Sequence, residues 1–224
     1  MSAQTTTAQP ETRGSRTRLS KTARRGIRIG VVVLVVLGVV LGTRVVPADD
    51  PLVQGTEEFD PTTFGADEFP AVQEGVVEQA VDATVLAEAI AADPDAAAEE
   101  YAVASSGGPV YSTTFTGVVG EGQSGIYEVA VDGLPEDLLI RVQTGPAING
   151  TELRDATGDI QFGEFVNQID YQDAAAALNE ELKTQVLSDV DTDGLAGATV
   201  TVTGAFTLVN PAAWLVTPVT LEVQ

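Results

Sequence analysis

The chain has 224 residues, of which 44% are hydrophobic, a formal net charge of -22, and neither cysteine nor histidine. This length and apolar content suffice for one domain of ordinary size. The missing residue types exclude disulfides, thiolate chemistry, ordinary zinc sites and any triad that needs a histidine base. We therefore expect no cofactor, with calcium as the one exception discussed below.

The charge is distributed unevenly along the chain. Eight of the 11 basic residues lie in the first 44 positions, whereas the remainder carries 32 acidic and three basic residues. An uncharged apolar stretch, IGVVVLVVLGVVLGT, occupies residues 29–43. Positive charge before this stretch and negative charge after it predict a cytoplasmic amino terminus and a translocated acidic part. We also expect no nucleic-acid partner, because an acidic surface repels phosphate backbones.

Composition predicts five segments. Residues 1–26 form a disordered basic cytoplasmic tail, 27–48 a transmembrane signal anchor, 49–68 an acidic linker, 69–104 a helical segment and 105–224 a β domain. Small residues at 46–48 resemble a peptidase site, but Pro47 lies in the middle of it. We interpret the apolar segment as a retained anchor of a single-pass cell-membrane protein, and cleavage near Asp49 is the alternative.

The elements of the predicted domain follow from hydrophobic periodicity. Helical spacing is found at Val72, Val76, Ala80, Leu86 and Ile90. Asp93-Pro94 is a helix-starting pair. From residue 110 the period changes to two, which predicts a long first strand that bends at Gly117 and ends at a glycine-rich turn at 120–125. Two further strands are predicted at 126–131 and 138–143. An apolar stripe of Tyr171, Ala175, Leu178, Leu182 and Val186 predicts a helix over 170–189, and two strands follow at 198–209 and 214–223.

The element order predicts an α+β protein. After a membrane helix and short helices, we expect a five-stranded OB-like antiparallel barrel with one helix between strands three and four. Gly117 and Gly204 fall inside the first and fourth strands, where a barrel must coil. Trp214, the single tryptophan, is expected to plug the barrel end. An open sheet with helices on one face is the alternative.

Two stretches of the sequence carry a family resemblance. GPAINGTELRD at residues 145–155 and FGEFVNQIDY at 162–171 resemble a family of uncharacterised bacterial predicted periplasmic lipoproteins. Shorter matches are ALN at 177–179, GAF at 204–206 and TPV at 217–219. The resemblance runs from about residue 44 to the carboxyl terminus. It implies a membrane-attached extracytoplasmic protein, of a kind often encoded near sugar-importing ABC transporters, whose biochemical role is not established.

The chain departs from this family at the anchor. Members typically carry a lipobox cysteine just before a basic-Val-Val-Pro step. Here Val40-Leu41-Gly42 is followed by Thr43. A threonine has no thiol to receive the lipid, which favours an uncleaved helix as the anchor.

A small polar group around Arg154 is the first candidate site. Arg154 lies beside Asp155, and Asn149, Asn167 and Gln168 are near in sequence. One interpretation is a buried ion pair that fixes the loop. The other is a ligand site for an anion or for sugar hydroxyls, formed by these five residues.

The second candidate is a metal loop. Asp189, Asp191, Asp193 and Gly194 reproduce the D-x-D-x-D-G opening of a calcium loop. The twelfth position is Val200, so the bidentate glutamate is missing and the segment leads into a strand. We expect an acidic turn that binds calcium weakly or not at all.

Three functions remain open at this point. The first is a binding or accessory module that works with an envelope transporter, and the second is a structural interaction protein. The third is a carboxylate-dependent hydrolase, for which we can name no catalytic residue. We favour them in that order and predict that the protein is not an enzyme, because carboxylates and hydroxyls are the main groups left for chemistry.

Overall fold

The structure, a computed structural model, describes residues 59–192 and 194–224. The predicted tail and membrane anchor, and the first ten residues of the predicted linker, lie outside these ranges. Within them, no helix is both long and apolar enough to cross a membrane.

Three helices open the described part of the chain. They are α1 (Pro61–Gln79), α2 (Ala83–Ala92) and α3 (Pro94–Tyr101), and the two-residue strand β1 (Val81–Asp82) lies between α1 and α2. Each helix begins after an aspartate whose carboxylate accepts backbone N–H groups of the first turn. The start of the helical segment was predicted at residue 69, but α1 already begins at Pro61.

Six further strands follow, and the predicted ones lie within a few residues of their expected bounds. They are β2 (Ala102–Ser105), β3 (Gly108–Gln123), β4 (Ile126–Val131), β5 (Leu139–Gln143), β6 (Thr199–Thr207) and β7 (Ala213–Val223). Residues 102–104 were predicted to be helical and instead belong to β2, which pairs with the start of β3.

Five of these strands pair in a closed cycle. β3 pairs with β4, β4 with β5, β5 with β7, β7 with β6, and β6 again with β3. Closure leaves no free edge along this cycle, which is how small barrels avoid exposing unpaired backbone. The prediction that all barrel strands pair antiparallel is wrong for one pair, because β5 and β7 run parallel.

Glycines lie where the barrel strands approach most closely. A Cβ added at Gly204 would lie 2.4 Å from the Thr217 carbonyl oxygen, and one at Gly117 would lie 2.5 Å from that of Ala130. The register between β6 and β7 also shifts between Thr203 and Gly204. Both positions therefore allow the strands to coil, as the sequence predicts.

In chain order, a long helix follows the third barrel strand and precedes the fourth, as predicted. This helix, α5 (Gln168–Leu182), continues into a π-helical turn at Lys183–Leu187 and packs against α1. Ala175, Leu178 and Leu182 of its predicted stripe are buried. The core also holds a stack of three rings from Tyr111, Phe206 and Trp214, with neighbouring centroids 5.5 and 4.5 Å apart.

Candidate functional site

The candidate site lies in the connection between β5 and α5. A one-turn helix, α4 (Glu152–Asp155), and a 3-10 turn at Phe162–Glu164 precede α5. The two sequence stretches that carry the family resemblance, 145–155 and 162–171, meet here because Tyr171 contacts residues of both. Two surface depressions flank the 3-10 turn and share Ile160 as a lining residue.

A buried ion pair fixes this connection. Arg154 and Asp155 are 4% and 6% exposed. The Arg154 Nε donates to Asp155 Oδ1 at 2.7 Å, and Nη2 donates to Oδ2 at 3.0 Å. The Thr151 hydroxyl also donates to Oδ2, at 2.8 Å. Two parallel bonds between a guanidinium and a carboxylate are the strong form of this interaction.

Tyr171 joins the ion pair to α5. Its ring lies under the guanidinium, with 3.6 Å between Arg154 Cζ and the ring centroid. Its backbone carbonyl accepts a hydrogen bond of 3.0 Å from Arg154 Nη1, and its hydroxyl donates to Asp155 Oδ1 at 3.3 Å. Burial, followed by the nearby Asp155 charge, raises the pKa of the Tyr171 hydroxyl. Each of the three Arg154 side-chain nitrogens therefore donates to a protein oxygen, and the guanidinium also lies against the Tyr171 ring.

The first depression, which we call the polar depression, has a volume of about 410 Å³. Its lining includes Ser105, Ser106, Gln161, Gln168 and the rings of Phe162 and Tyr171. Phe162 is 52% exposed. Asp155 is the one carboxylate among the described residues that line it, and Arg154 neutralises that charge. The depression thus presents amides, hydroxyls and aromatic carbon with little net charge.

The second depression, which we call the acidic aromatic depression, has a volume of about 510 Å³. Phe59, Phe64 and Phe165 form one part of its wall, with ring centroids 5.4 to 5.6 Å apart. The rest of the lining includes four carboxylates, which belong to Glu68, Asp159, Glu164 and Asp170. This cluster was not predicted from the sequence, because Phe59 and Phe64 are about a hundred positions away from Phe165.

The predicted site residues are brought together only in part. Arg154, Asp155 and Gln168 meet at or beneath the polar depression. Asn167 caps α5, since its Oδ1 accepts the backbone N–H groups of Ile169 and Asp170 at 2.8 and 3.0 Å. Asn149 lies elsewhere, where its backbone N–H and carbonyl bond to the buried Gln143 side chain.

The predicted calcium loop keeps its exposed carboxylates, Asp189 and Asp191, while Asp193 lies outside the described residues. Asp191 Oδ2 would lie 2.6 Å from a Cβ added at Gly194, so this side chain folds over its own turn. In the ranges 59–192 and 194–224, no group of three or more acidic side chains is placed to hold a metal. Calcium binding here stays a prediction.

A known family covers most of the chain. Residues 31–222 match the family described as "Predicted periplasmic lipoprotein (DUF2291)". The chain belongs to this family of predicted periplasmic lipoproteins. The resemblance seen in the two stretches around the site is thereby confirmed. No curated protein is significantly similar to the chain.

A solved structure supports the fold. The crystal structure of an OB-fold protein from Thermotoga maritima MSB8 is similar, with a TM-score of 0.60 and 21% sequence identity. The similarity covers 75% of this chain and 100% of that one. At this identity the likeness shows the fold alone, which is the OB fold.

Glu152, which precedes the ion pair in α4, gives a pH-dependent prediction. Burial, with a smaller effect of the Asp155 charge, raises the pKa of the Glu152 carboxyl above its ordinary 4.5. Ionised Glu152 therefore destabilises the fold at pH 7, and this penalty is lost as the pH falls through the raised pKa. We expect Glu152→Gln to unfold at a higher urea concentration than the unmodified chain at pH 7, with the difference vanishing near pH 4. Trp214 fluorescence reports the unfolding, and the exposed Glu88→Gln serves as the control.

If Glu152→Gln stabilised the chain against urea equally at pH 7 and pH 4, ionisation of Glu152 would not be the cause of the penalty. A matching gain in Glu88→Gln would show a general effect of the acidic surface instead.

Proposed function

We propose that this protein is a non-catalytic extracytoplasmic binding module whose polar depression takes up a neutral polyhydroxylated ligand, and that it serves as an accessory to a sugar importer. The observation that carries this proposal is the lining of the polar depression. Amide and hydroxyl groups lie beside an exposed phenyl ring, and the one carboxylate in the lining, that of Asp155, is neutralised by Arg154.

Sugar hydroxyls need partners that both donate and accept hydrogen bonds, and amides and hydroxyls do both. Among the residues that the structure describes, the side chains of Ser106 and Gln168 have no protein hydrogen-bond partner and are available to a ligand. The exposed Phe162 ring offers apolar surface against which the C–H face of a sugar ring can pack. The volume of the depression, about 410 Å³, suits a small molecule.

The same lining argues against turnover. Carboxylate-dependent glycosidases need two carboxyl groups roughly 5 to 9.5 Å apart, one of which carries a proton. In the described part of the chain, the polar depression has Asp155 alone, and that carboxylate accepts hydrogen bonds from Arg154, Thr151 and Tyr171. The polar depression therefore lacks an acid or base for hydrolysis, which favours binding over catalysis there.

Attachment to the membrane is part of the proposal. We infer that residues 27–48 stay attached as a single-pass anchor, because the chain has Thr43 where the lipoprotein resemblance implies a cysteine. Tethering raises the effective concentration of the domain near a membrane-embedded partner, so a weak affinity suffices. This arrangement suits an importer accessory better than a diffusing solute carrier.

A structural interaction protein is the second candidate. Phe162, Val166 and Ile169 are 52%, 69% and 69% exposed and lie within eight residues of one another. Exposed apolar side chains in one surface region favour a protein contact. In that case the partner would cover the 3-10 turn and the start of α5.

Calorimetry with neutral pentoses and hexoses tests the proposal. The full-length chain is purified in a polyoxyethylene detergent, which carries no sugar head group. We expect one sugar to bind, and Gln168→Ala to weaken that binding by about three- to tenfold through the loss of one or two hydrogen bonds. Gln172→Ala, one turn further along α5 and outside the depression, is the matched control and should bind normally.

Failure of every sugar to bind, or equal weakening by both variants, would overturn the sugar site. Hydrolysis of glycosides by the chain would overturn the non-catalytic part. Unaltered sugar uptake by cells lacking the gene would count against the importer role alone.

A further inference from the structure

The acidic aromatic depression has a chemistry of its own. The ring planes of Phe59, Phe64 and Phe165 are inclined to one another by 57° to 74°, so they form an apolar corner and not a flat stack. Phe165 is braced from behind by Tyr171, with 5.3 Å between the ring centroids. Tyr171 in turn lies against the buried Arg154 guanidinium, so Phe165 packs on a residue that the ion pair holds in place.

The charges around this corner are all negative. Glu164 and Asp170 are held in place, since Glu164 accepts the Gln161 backbone N–H and Asp170 accepts the Asn167 side-chain amide. Within residues 59–192 and 194–224, the carboxylates of Glu68 and Asp159 accept no hydrogen bond from the protein. Glu68 is also half-buried. None of the described basic residues, Arg141, Arg154 and Lys183, lines the depression.

The polar depression provides an internal comparison. It lies on the other side of the same 3-10 turn, yet its carboxylate is neutralised by Arg154. The difference shows that the four uncompensated carboxylates are a feature of this depression, beyond the general acidity of the domain. Aromatic rings attract cations through their negatively charged faces, and carboxylates add a longer-range attraction.

We propose that the acidic aromatic depression binds a small organic cation, an amine or quaternary ammonium compound with an apolar body. The three phenyl rings contact the apolar groups around the nitrogen, and Glu68 and Asp159 supply the opposite charge. Anionic ligands are rejected by the four carboxylates, and uncharged ones gain nothing from them. The site is separate from the polar depression, so either can exist without the other.

Choline and its uncharged carbon analogue 3,3-dimethylbutan-1-ol are the probes for this site. The full-length chain in polyoxyethylene detergent is titrated with each compound by calorimetry. We expect choline to bind and its uncharged analogue to bind at least about fivefold more weakly. Raising the salt concentration should weaken choline binding, because part of the attraction is electrostatic.

Two variants locate the binding. Glu68→Gln keeps the shape of the side chain and should weaken choline binding about threefold to tenfold, and Phe165→Ala should weaken it by a similar factor. Gln168→Ala, which alters the polar depression, should leave it unchanged. Circular dichroism confirms that each variant is folded.

Equal binding of choline and the uncharged analogue would overturn the proposal, as would normal choline binding by both Glu68→Gln and Phe165→Ala. Absence of choline binding at about 50 mM would also overturn it, since that concentration exceeds what several cation–π contacts require. Loss of choline binding in Gln168→Ala would move the cation to the polar depression and contradict the assignment.

Discussion

Replacing Arg154 by alanine should lower the free energy of unfolding by about 3 to 5 kcal/mol, the usual cost of removing one partner from a buried ion pair. The change leaves the Asp155 carboxylate, 6% exposed, with hydrogen bonds from Thr151 and Tyr171 but no opposite charge. It also removes the cation that lies 3.6 Å from the Tyr171 ring centroid. Chemical denaturation followed by Trp214 fluorescence measures the loss.

Two controls separate the ion pair from simple loss of side-chain packing. Arg141→Ala removes a partly buried arginine of β5 that forms no ion pair with any described residue, and should cost about 1 kcal/mol or less. The double variant Arg154→Met with Asp155→Leu removes both charges together and should recover much of the stability. An unchanged unfolding midpoint in Arg154→Ala would contradict the structural role of the pair.

Trp214→Ala should also cost about 3 to 5 kcal/mol, as expected for deleting a large buried aromatic side chain. Trp214 is 1% exposed, and its ring stacks on Phe206 with 4.5 Å between the centroids. Its Nε1 donates a hydrogen bond of 3.2 Å to the Pro211 carbonyl, which ties the β6–β7 connection to the core. Thermal unfolding followed by circular dichroism is the suitable measurement, because the variant has no tryptophan fluorescence.

Trp214→Phe is the matched control for this stack. It keeps a ring against Phe206 and loses the hydrogen bond and part of the volume, so it should cost clearly less than the alanine change. Val209→Ala, at a side chain 83% exposed in the same connection, should be near neutral. Equal destabilisation by Trp214→Phe and Trp214→Ala would show that the ring stack contributes little.

Most barrel strands could be predicted from the sequence because their alternation is local. The start of α1 was misplaced because the acids and prolines around Pro61 are typical of linkers, although Asp60-Pro61 is itself a helix-starting pair. Strand β3 extends to Gln123, through glycines that suggested a turn, because pairing with β4 continues past a register shift after Val119. Local turn signals are outweighed here by pairing along the strand.

The parallel pairing of β5 with β7 could not be predicted from local sequence. β5 and β7 are separated by α5 and β6, and hairpin signals describe neighbouring strands only. Which distant strands pair, and in which direction, depends on how the helices pack against the barrel. Composition therefore indicates an OB-like order but leaves the closing contacts open.

Only the part of the candidate site that is formed by residues near in sequence could be predicted. Arg154 was identifiable because basic residues are scarce after residue 44, and its neighbour Asp155 is the partner. The acidic aromatic depression was not identifiable, since its rings come from residues 59–64 and 165, about a hundred positions apart. Only the packing of α1 against α5 brings them together.

The most direct test of the proposed function is a nuclear magnetic resonance titration of the full-length, isotope-labelled chain in polyoxyethylene detergent with the neutral sugars. We expect the largest shift changes at the Gln168 side-chain amide and at the backbone amides of Ser106 and Phe162, with saturation as sugar is added. Changes confined to residues outside the lining of the polar depression, or no saturable change with any sugar, would contradict the polar depression as the binding site.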